Sequence, residues 1–126
     1  MSYKNPSIEQ INEWAYSGQV WPIEEWDLFL SWTGEVDLFI ALATDHKCPS
    51  QSFFLHMLYY IVGTTYTSHR MDEAQSRIAV FADKGRKVEH GEIRKWVGEV
   101  DALLRGAKKY EYLDWRGGRL AKYQFT

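Results

Sequence analysis

Apolar residues recur along much of this chain at the three- and four-residue spacing of an amphipathic helix. The clearest series starts at Ile93 and continues 3, 4, 7, 10 and 11 residues further on. This spacing predicts a helix that buries one face and ends at Gly106, with Asp101 and Arg105 as an i,i+4 ion pair on its outer side. The buried series would be Ile93, Trp96, Val97, Val100, Leu103 and Leu104.

The N-terminal part of the chain carries helix start and stop signals. Ser7 and Gln10 have the spacing of a capping box, and Gly18 is placed to end the helix that follows. Pro22 then predicts the first turn of a second helix, which would run to about Thr33.

Two further stretches are apolar on almost every side, which predicts buried helices. One is EVDLFIALATD (35–45), and the other runs from Cys48-Pro49 to about Ser68 and includes FFLHMLYYIVG. We interpret the longer one as the central helix. Gly63 inside it costs about 1 kcal/mol relative to alanine unless it lets another helix approach closely.

The remaining segments also favour helices. MDEAQSRIAVFADKG (71–85) predicts a fifth helix with Gly85 as its C-cap. The tail YEYLDWRGGRLAKYQFT (110–126) fits one helical turn closed by Gly117-Gly118 and then an extended end. No linker or fixed repeat divides the chain. We therefore predict a single all-α domain over residues 1–126, a bundle of six or seven helices stacked as antiparallel hairpins.

Composition places the chain among globular proteins and leaves the role of its aromatic residues open. It is 45% hydrophobic and 25% charged, while aromatic residues reach 16%, enough for a large-residue core or a binding surface. No apolar run approaches the roughly 20 residues that span a bilayer. The opening MSYKNPSIEQ lacks a signal-peptide pattern, and a single cysteine suits a reducing compartment, so we expect a cytoplasmic protein.

Charge is unevenly distributed although the net charge is only −2. Residues 1–47 hold two basic and eight acidic side chains, whereas residues 105–126 hold six basic and two acidic ones. Such asymmetry can mark a charged partner. It can equally reflect an acidic N-terminal face that lies beside the basic tail, and the sequence does not choose between these interpretations.

Patterns that support catalysis are weak in this chain. The four histidines match none of the compact metal-binding spacings, and no glycine-rich phosphate loop is present. Cys48 with His46 or His56 could form a nucleophile and base, but a single cysteine in a helical protein is more often a small buried residue. We predict no catalytic residue, no metal and no cofactor, and hence no enzyme.

The basic tail raises the alternative of nucleic-acid binding, because aromatic and cationic residues alternate along it. A pI near 6.1 and a single RGG argue against that alternative. We favour the interpretation that the aromatic residues dock the tail on the helices while the cations stay in water. The aromatic residues concerned are Tyr110, Tyr112, Trp115 and Tyr123.

Two stretches resemble a known group of proteins. CPSQSFFLHMLYYIVG (48–63) resembles the central helix, and YEYLDWRGGRLA (110–121) the aromatic ending, of small helical immunity proteins. Those proteins accompany bacterial polymorphic toxins and contact-dependent growth inhibition systems. The resemblance implies a protein that binds a cognate toxin domain and blocks it, most simply a nuclease. It implies no binding residue, because the matching positions have structural roles.

The stretch WPIEEWDLFLSW (21–32) is where we predict the partner surface. A helix here would turn Ile23, Trp26, Leu30 and Thr33 toward the core, which leaves too many large apolar groups for one buried stripe. At least one of Trp21, Phe29 and Trp32 should then be partly exposed among carboxylates, as at the centre and rim of an interface. The predicted partner-binding residues are Trp21, Glu24, Glu25, Asp27, Phe29, Trp32, Glu35, Asp37 and Asp45.

The expected function is therefore neutralisation of a toxin by a helical protein that binds the toxin's active or target-binding surface. A helical adaptor for another protein is the alternative, and a small metal- or thiol-dependent enzyme using His46, Cys48 and His56 is a third. Exposed aromatic residues would also allow a homodimer.

Overall fold

The computed structural model describes residues 3–124, and every regular element within them is a helix, which confirms the predicted all-α bundle. Seven helices are present in that range: α1 (Ile8–Ser17), α2 (Trp26–Ser31), α3 (Val36–Thr44), α4 (Gln51–Ser68), α5 (Met71–Arg86), α6 (Gly91–Leu104) and α7 (Tyr112–Trp115). None of these helices is long and apolar enough to cross a membrane.

Helix α4 lies at the centre of the bundle, as its apolar sequence predicts. It contacts α2, α3, α5, α6 and α7, and Phe54, Met57 and Val62 on it are fully buried. The consecutive pairs α3–α4, α4–α5 and α5–α6 also pack together. The indole N–H of Trp96 in α6 donates a buried 2.9 Å hydrogen bond to the main-chain carbonyl of Leu58, so α6 is fixed to α4 by a polar contact as well as by packing.

The predicted cap of α1 is confirmed. The hydroxyl of Ser7 accepts from the main-chain N–H of Gln10 at 3.1 Å, and the Gln10 side chain accepts from the N–H of Ser7 at the same distance. Gly18 ends the helix with a left-handed φ of +69°. Ile11 and Ala15 are buried, so the cap fixes the start of an amphipathic helix.

Helix α2 begins later than predicted. Residues 22–25 form a bend and a turn, and the helix starts only at Trp26. The reason is the left-handed backbone of Glu25 (φ +60°), which cannot continue a right-handed helix. Glu24 and Glu25 therefore precede the helix rather than occupy its first turn. The predicted core side is nevertheless correct, because Trp26 and Leu30 are both fully buried.

Two glycines inside helices let other elements come close. A Cβ on Gly63 would lie 3.2 Å from the Cβ of Trp115, so α7 packs directly on the backbone of α4. A Cβ on Gly85 would lie 2.7 Å from Val97 Cγ2 and 2.8 Å from Trp96 Cζ3. The prediction that Gly85 caps α5 is therefore wrong: it is a packing position between α5 and α6, and the helix continues to Arg86.

The apolar series of α6 is confirmed, but its predicted ion pair is not. Asp101 pairs with Arg86 of α5 through two hydrogen bonds of 2.6 and 2.9 Å, rather than with Arg105. The guanidinium of Arg86 holds the pKa of the Asp101 carboxyl below its usual value. This bidentate pair links the exposed edges of α5 and α6.

The tail is attached by its aromatic residues, as predicted, and also by Arg116, a cation that was expected in water but is half-buried and donates to the Tyr60 hydroxyl. Trp115 is buried, the Tyr110 ring stacks on Tyr66 at 4.5 Å, and the Tyr123 ring stacks on His56 at 4.7 Å. Tyr112 is the exception and remains more than half exposed. The predicted extended end is wrong for residues 119–122, which form turns, and its last two residues, 125 and 126, lie outside the described residues.

Candidate protein-binding surface

One edge of α2 carries several of the predicted partner-binding residues. Phe29 lies on α2 and Trp32 follows it three residues later at the C-terminal end of the helix, where their rings are in contact. Glu24 and Glu25 precede the helix, and Glu35 lies at the start of α3. We call Phe29 and Trp32, together with Glu24, Glu25 and Glu35, the α2 edge.

Trp32 is the main apolar feature of the α2 edge. Its side chain is 63% exposed, and its ring meets that of Phe29 edge to face at a centroid distance of 5.2 Å. Phe29 is half-buried and so holds the indole in place from the helix side. The prediction that at least one of Trp21, Phe29 and Trp32 would be exposed is confirmed by Trp32.

The carboxylates of the α2 edge are not neutralised within the described residues. Glu24 and Glu25 are exposed, Glu35 is half-buried at the start of α3, and none of the three forms an ion pair within residues 3–124. Negative charge without an ion pair among these residues, in the segments before and after a helix that ends in an exposed indole, makes this edge suited to a positively charged protein surface.

Asp27 does not belong to this surface, although the sequence suggested it. The residue is only 9% exposed, and its carboxylate accepts the main-chain N–H of Leu28 at 2.9 Å. Burial raises the pKa of Asp27, while that hydrogen bond and the nearby Arg116 act to lower it. A buried carboxylate of this kind can position α2 but cannot meet a partner directly.

Asp37 and Asp45 are exposed in part but already have partners. Asp37 forms a 2.8 Å ion pair with Lys84 of α5. Asp45 accepts a 2.5 Å hydrogen bond from the hydroxyl of Tyr16, which lowers the pKa of Asp45 and raises that of Tyr16 to about 12. Both carboxylates therefore tie helices together, which gives them a structural role that the sequence did not indicate.

Trp21 faces a separate groove. Its ring lies 5.7 Å from that of Phe53, and it lines a depression of about 530 Å³ together with Trp14 and Val20. Val20 is 88% exposed. The nine predicted residues thus divide into the α2 edge, two carboxylates bound to other helices, one buried carboxylate and one tryptophan in another groove.

A groove beside Trp32 was not predicted. It has a volume of about 320 Å³ and lies between the end of α2, the C-terminal half of α4 and the middle of α5. We call it the Trp32 groove. Its lining includes Ser31, Thr64, His69 and Phe81 in addition to Trp32. Residues from three distant segments form it, so no local pattern could have shown it.

Two of the three residues considered for catalysis, Cys48 and His56, are placed for packing. Cys48 is buried, its thiol donates to the carbonyl of Ala15 at 3.4 Å, and burial raises its pKa, which disfavours the nucleophilic thiolate. His56 is fully buried, and burial lowers its pKa to about 4. His46 is exposed. Within the described residues, no group of three or more His, Cys, Asp or Glu is arranged to hold a metal ion.

Two of the six cations of the tail form ion pairs within residues 3–124, and their partners are not N-terminal carboxylates. Arg119 pairs with Glu111 and Asp114, and Lys108 pairs with Glu99 of α6. These ion pairs therefore do not support the interpretation that the acidic N-terminal part pairs directly with the basic tail.

Comparison of this chain with models of protein families, with curated proteins and with solved structures finds no match.

Proposed function

We propose that this chain is an immunity protein that binds a cognate bacterial toxin domain and neutralises it in the cytoplasm of the producing cell. The observation that carries the proposal is the exposed Trp32, supported by Phe29 at the C-terminal end of α2, on a helix preceded by Glu24 and Glu25, which have no ion pairs among the described residues. A fixed aromatic anchor within a charged rim is the arrangement that concentrates binding energy in protein interfaces.

The distribution of the resemblance supports this assignment. The two motifs that resemble immunity proteins belong to α4 and α7, and these helices pack on each other at Gly63 and Trp115. The motifs therefore supply the interior of the bundle, while the α2 edge lies outside them. A scaffold of this kind can carry a partner-specific surface on a separate helix.

Charge supports a nuclease as the toxin. A nuclease active site is cationic because it holds phosphates, and the carboxylates of the α2 edge are complementary to such a site. Complementary charge accelerates association and favours the correct partner. The proposed mechanism is that Trp32 anchors the complex while Glu24 and Glu25 meet basic residues at the toxin's active or target-binding surface.

Co-purification tests the proposed function. A tagged copy would be expressed in its native host with the neighbouring upstream open reading frame intact, and stoichiometric partners would be identified. We expect one polypeptide that is toxic when expressed alone and harmless when this chain is present. A stoichiometric partner that is not toxic would contradict the proposal and favour the adaptor alternative.

Charge reversal then tests the surface. The double variant E24K/E25K should slow association at least about tenfold and flatten its dependence on salt, because electrostatic steering is lost. The matched control is E13K/E89K, which makes the same change in net charge at exposed positions outside the α2 edge. Equal effects of the two double variants would show that overall charge, rather than the α2 edge, controls association.

A further inference from the structure

The Trp32 groove combines an aromatic wall with a polar floor. Trp32 forms one side, Phe81 of α5 contributes on another, and Thr64 and Thr65 of α4 lie among the lining residues. Both threonines are more than nine-tenths buried. The chemistry that these polar groups offer depends on which of their hydrogens are already used.

Two of the hydroxyl groups that line the groove donate their hydrogens within the chain. Ser31 donates to the carbonyl of Leu28 at 2.7 Å, and Thr64 donates to the carbonyl of Ile61 at 3.2 Å. A carbonyl can only accept, so the hydroxyls must be the donors in both bonds. What remains on each hydroxyl oxygen is a lone pair. These two groups therefore present acceptors.

His69 follows the same pattern. Its Nδ1 lies 3.2 Å from the carbonyl of Thr65, which again makes the ring nitrogen the donor. In neutral imidazole the other nitrogen, Nε2, is then an acceptor. Three side chains lining one groove have thus used their donors and retain acceptors, which matches a ligand group rich in N–H donors.

Arg77 is the cation among the residues that line the groove, and its positive charge is paired within α5. The guanidinium of Arg77 gives two hydrogen bonds to one carboxylate oxygen of Glu73, at 2.9 and 3.2 Å. Its charge is therefore compensated on α5. Gly34 also lines the groove, and the next residue, Glu35, carries negative charge that no ion pair within residues 3–124 offsets.

The aromatic wall selects among donor-rich groups. A planar guanidinium stacks on an indole and still directs its N–H groups outward to acceptors, whereas an ammonium acts as a compact point charge. Trp32 has the exposed surface that such stacking needs. The lining therefore favours arginine over lysine.

We propose that the Trp32 groove binds an arginine side chain projected by the partner protein, with the guanidinium against Trp32 and its N–H groups directed at Ser31, Thr64 and His69. The identity of the partner as a toxin rests on the proposed function. The preference of the groove for a guanidinium does not, because it follows from the groove's own acceptors.

The test is a titration of the full-length protein followed by ¹H–¹⁵N NMR. One probe is the peptide acetyl-Gly-Arg-Gly-amide, and the other replaces arginine with citrulline, which has nearly the same shape but no charge. We expect shifts centred on the Trp32 indole N–H and the amides of Thr64, Thr65 and His69, with the citrulline peptide bound at least about threefold more weakly. Equal binding of both peptides, or shifts centred elsewhere, would overturn the proposal.

Two variants locate the site. T64V removes one acceptor at nearly constant volume and should weaken binding of the arginine peptide. T67V is its matched control, because Thr67 also donates its hydroxyl within α4, to the carbonyl of Gly63 at 3.0 Å, but does not line the groove. If T64V and T67V both leave binding of the arginine peptide unchanged, that result would contradict the groove as its binding site. Co-purification of a non-toxic partner would instead contradict the immunity function and leave this peptide result standing.

Discussion

Gly63 of α4 and Arg116, which follows α7, are in contact so close that no side chain fits between them. A Cβ built on Gly63 would lie 2.6 Å from the Cγ of Arg116. From this position the Arg116 guanidinium reaches the ring of Tyr60, 5.0 Å from its centroid, and donates to the Tyr60 hydroxyl at 3.1 Å. The attachment of the tail therefore depends on the absence of a side chain at Gly63 of the central helix.

We expect Gly63→Ala to lower the free energy of unfolding by about 1–3 kcal/mol, the usual cost of overfilling a packed site. The new methyl group would displace Arg116 and press on Trp115, whose Cβ lies 3.2 Å away. Urea unfolding followed by tryptophan fluorescence would measure the change, since Trp115 is buried at this contact.

Gly98→Ala provides the control. Gly98 is also inside a helix, α6, but a Cβ there would have no neighbour within 4 Å. Alanine should therefore raise the free energy of unfolding by about 0.5–1 kcal/mol through its helix preference. If Gly63→Ala stabilised the protein to the same extent, the close contact would not limit packing.

His56 should make the fold sensitive to acid. Its pKa falls from an ordinary value of about 6.5 to about 4 in the folded protein, because burial disfavours the charged ring. Well above pH 6.5 the ring is neutral in both states, so it does not change the stability of the fold. As pH falls from 6.5 toward 4 the unfolded chain takes up a proton that the folded chain does not, so stability decreases, by about 2 kcal/mol between pH 7.5 and pH 5.

The slope of unfolding free energy against pH would measure this effect. His56→Phe keeps an aromatic ring among Phe53, Tyr60 and Tyr123 and removes the titrating group. The variant should have a flatter slope between pH 7.5 and pH 5 than the original protein. An unchanged slope would assign the acid sensitivity to other groups.

Cys48 should react slowly in the folded protein. The thiol is buried, hydrogen-bonded to Ala15, and has a raised pKa, so little thiolate is available. Iodoacetamide at pH 7.5 should label it at least about tenfold more slowly without urea than in 8 M urea. Because it is the only cysteine, mass spectrometry of the intact chain gives the labelled fraction directly. Rapid labelling of the folded protein would support the thiol-dependent alternative.

The parts of the fold that the sequence predicted are those that depend on neighbours a few residues away. The buried apolar series of α6, from Ile93 to Leu103, is one such case, because it follows from the helix period. The cap at Ser7 is another, because capping depends on residues within one turn. Gly85 shows where this reasoning ends, because it looks like a helix stop but lies against Trp96 of another helix. Asp101 shows the same for charge, since its best partner is 15 residues away.

The sequence likewise predicted only the part of the candidate surface that depends on local spacing. Exposure of an aromatic residue on α2 follows from counting apolar groups around a helix, and Trp32 fulfils it. The burial of Asp27 and the partners of Asp37 and Asp45 depend on where other elements pack, which a pattern within 12 residues does not contain. The Trp32 groove is even harder to predict from the sequence, because it forms only where α2, α4 and α5 pack together.

Trp32→Ala should separate binding from stability. Its side chain is 63% exposed, so its loss should change the free energy of unfolding by less than about 1 kcal/mol, mostly through the contact with Phe29. If Trp32 is the anchor of the interface, the same substitution should weaken binding of the co-purified toxin by at least about 2 kcal/mol, roughly 30-fold. Tyr112→Ala is the matched control, because Tyr112 is a similarly exposed aromatic residue (57%) on α7, away from the α2 edge. Isothermal titration calorimetry would give both affinities, and equal losses in the two variants would mean that the anchor is not at Trp32.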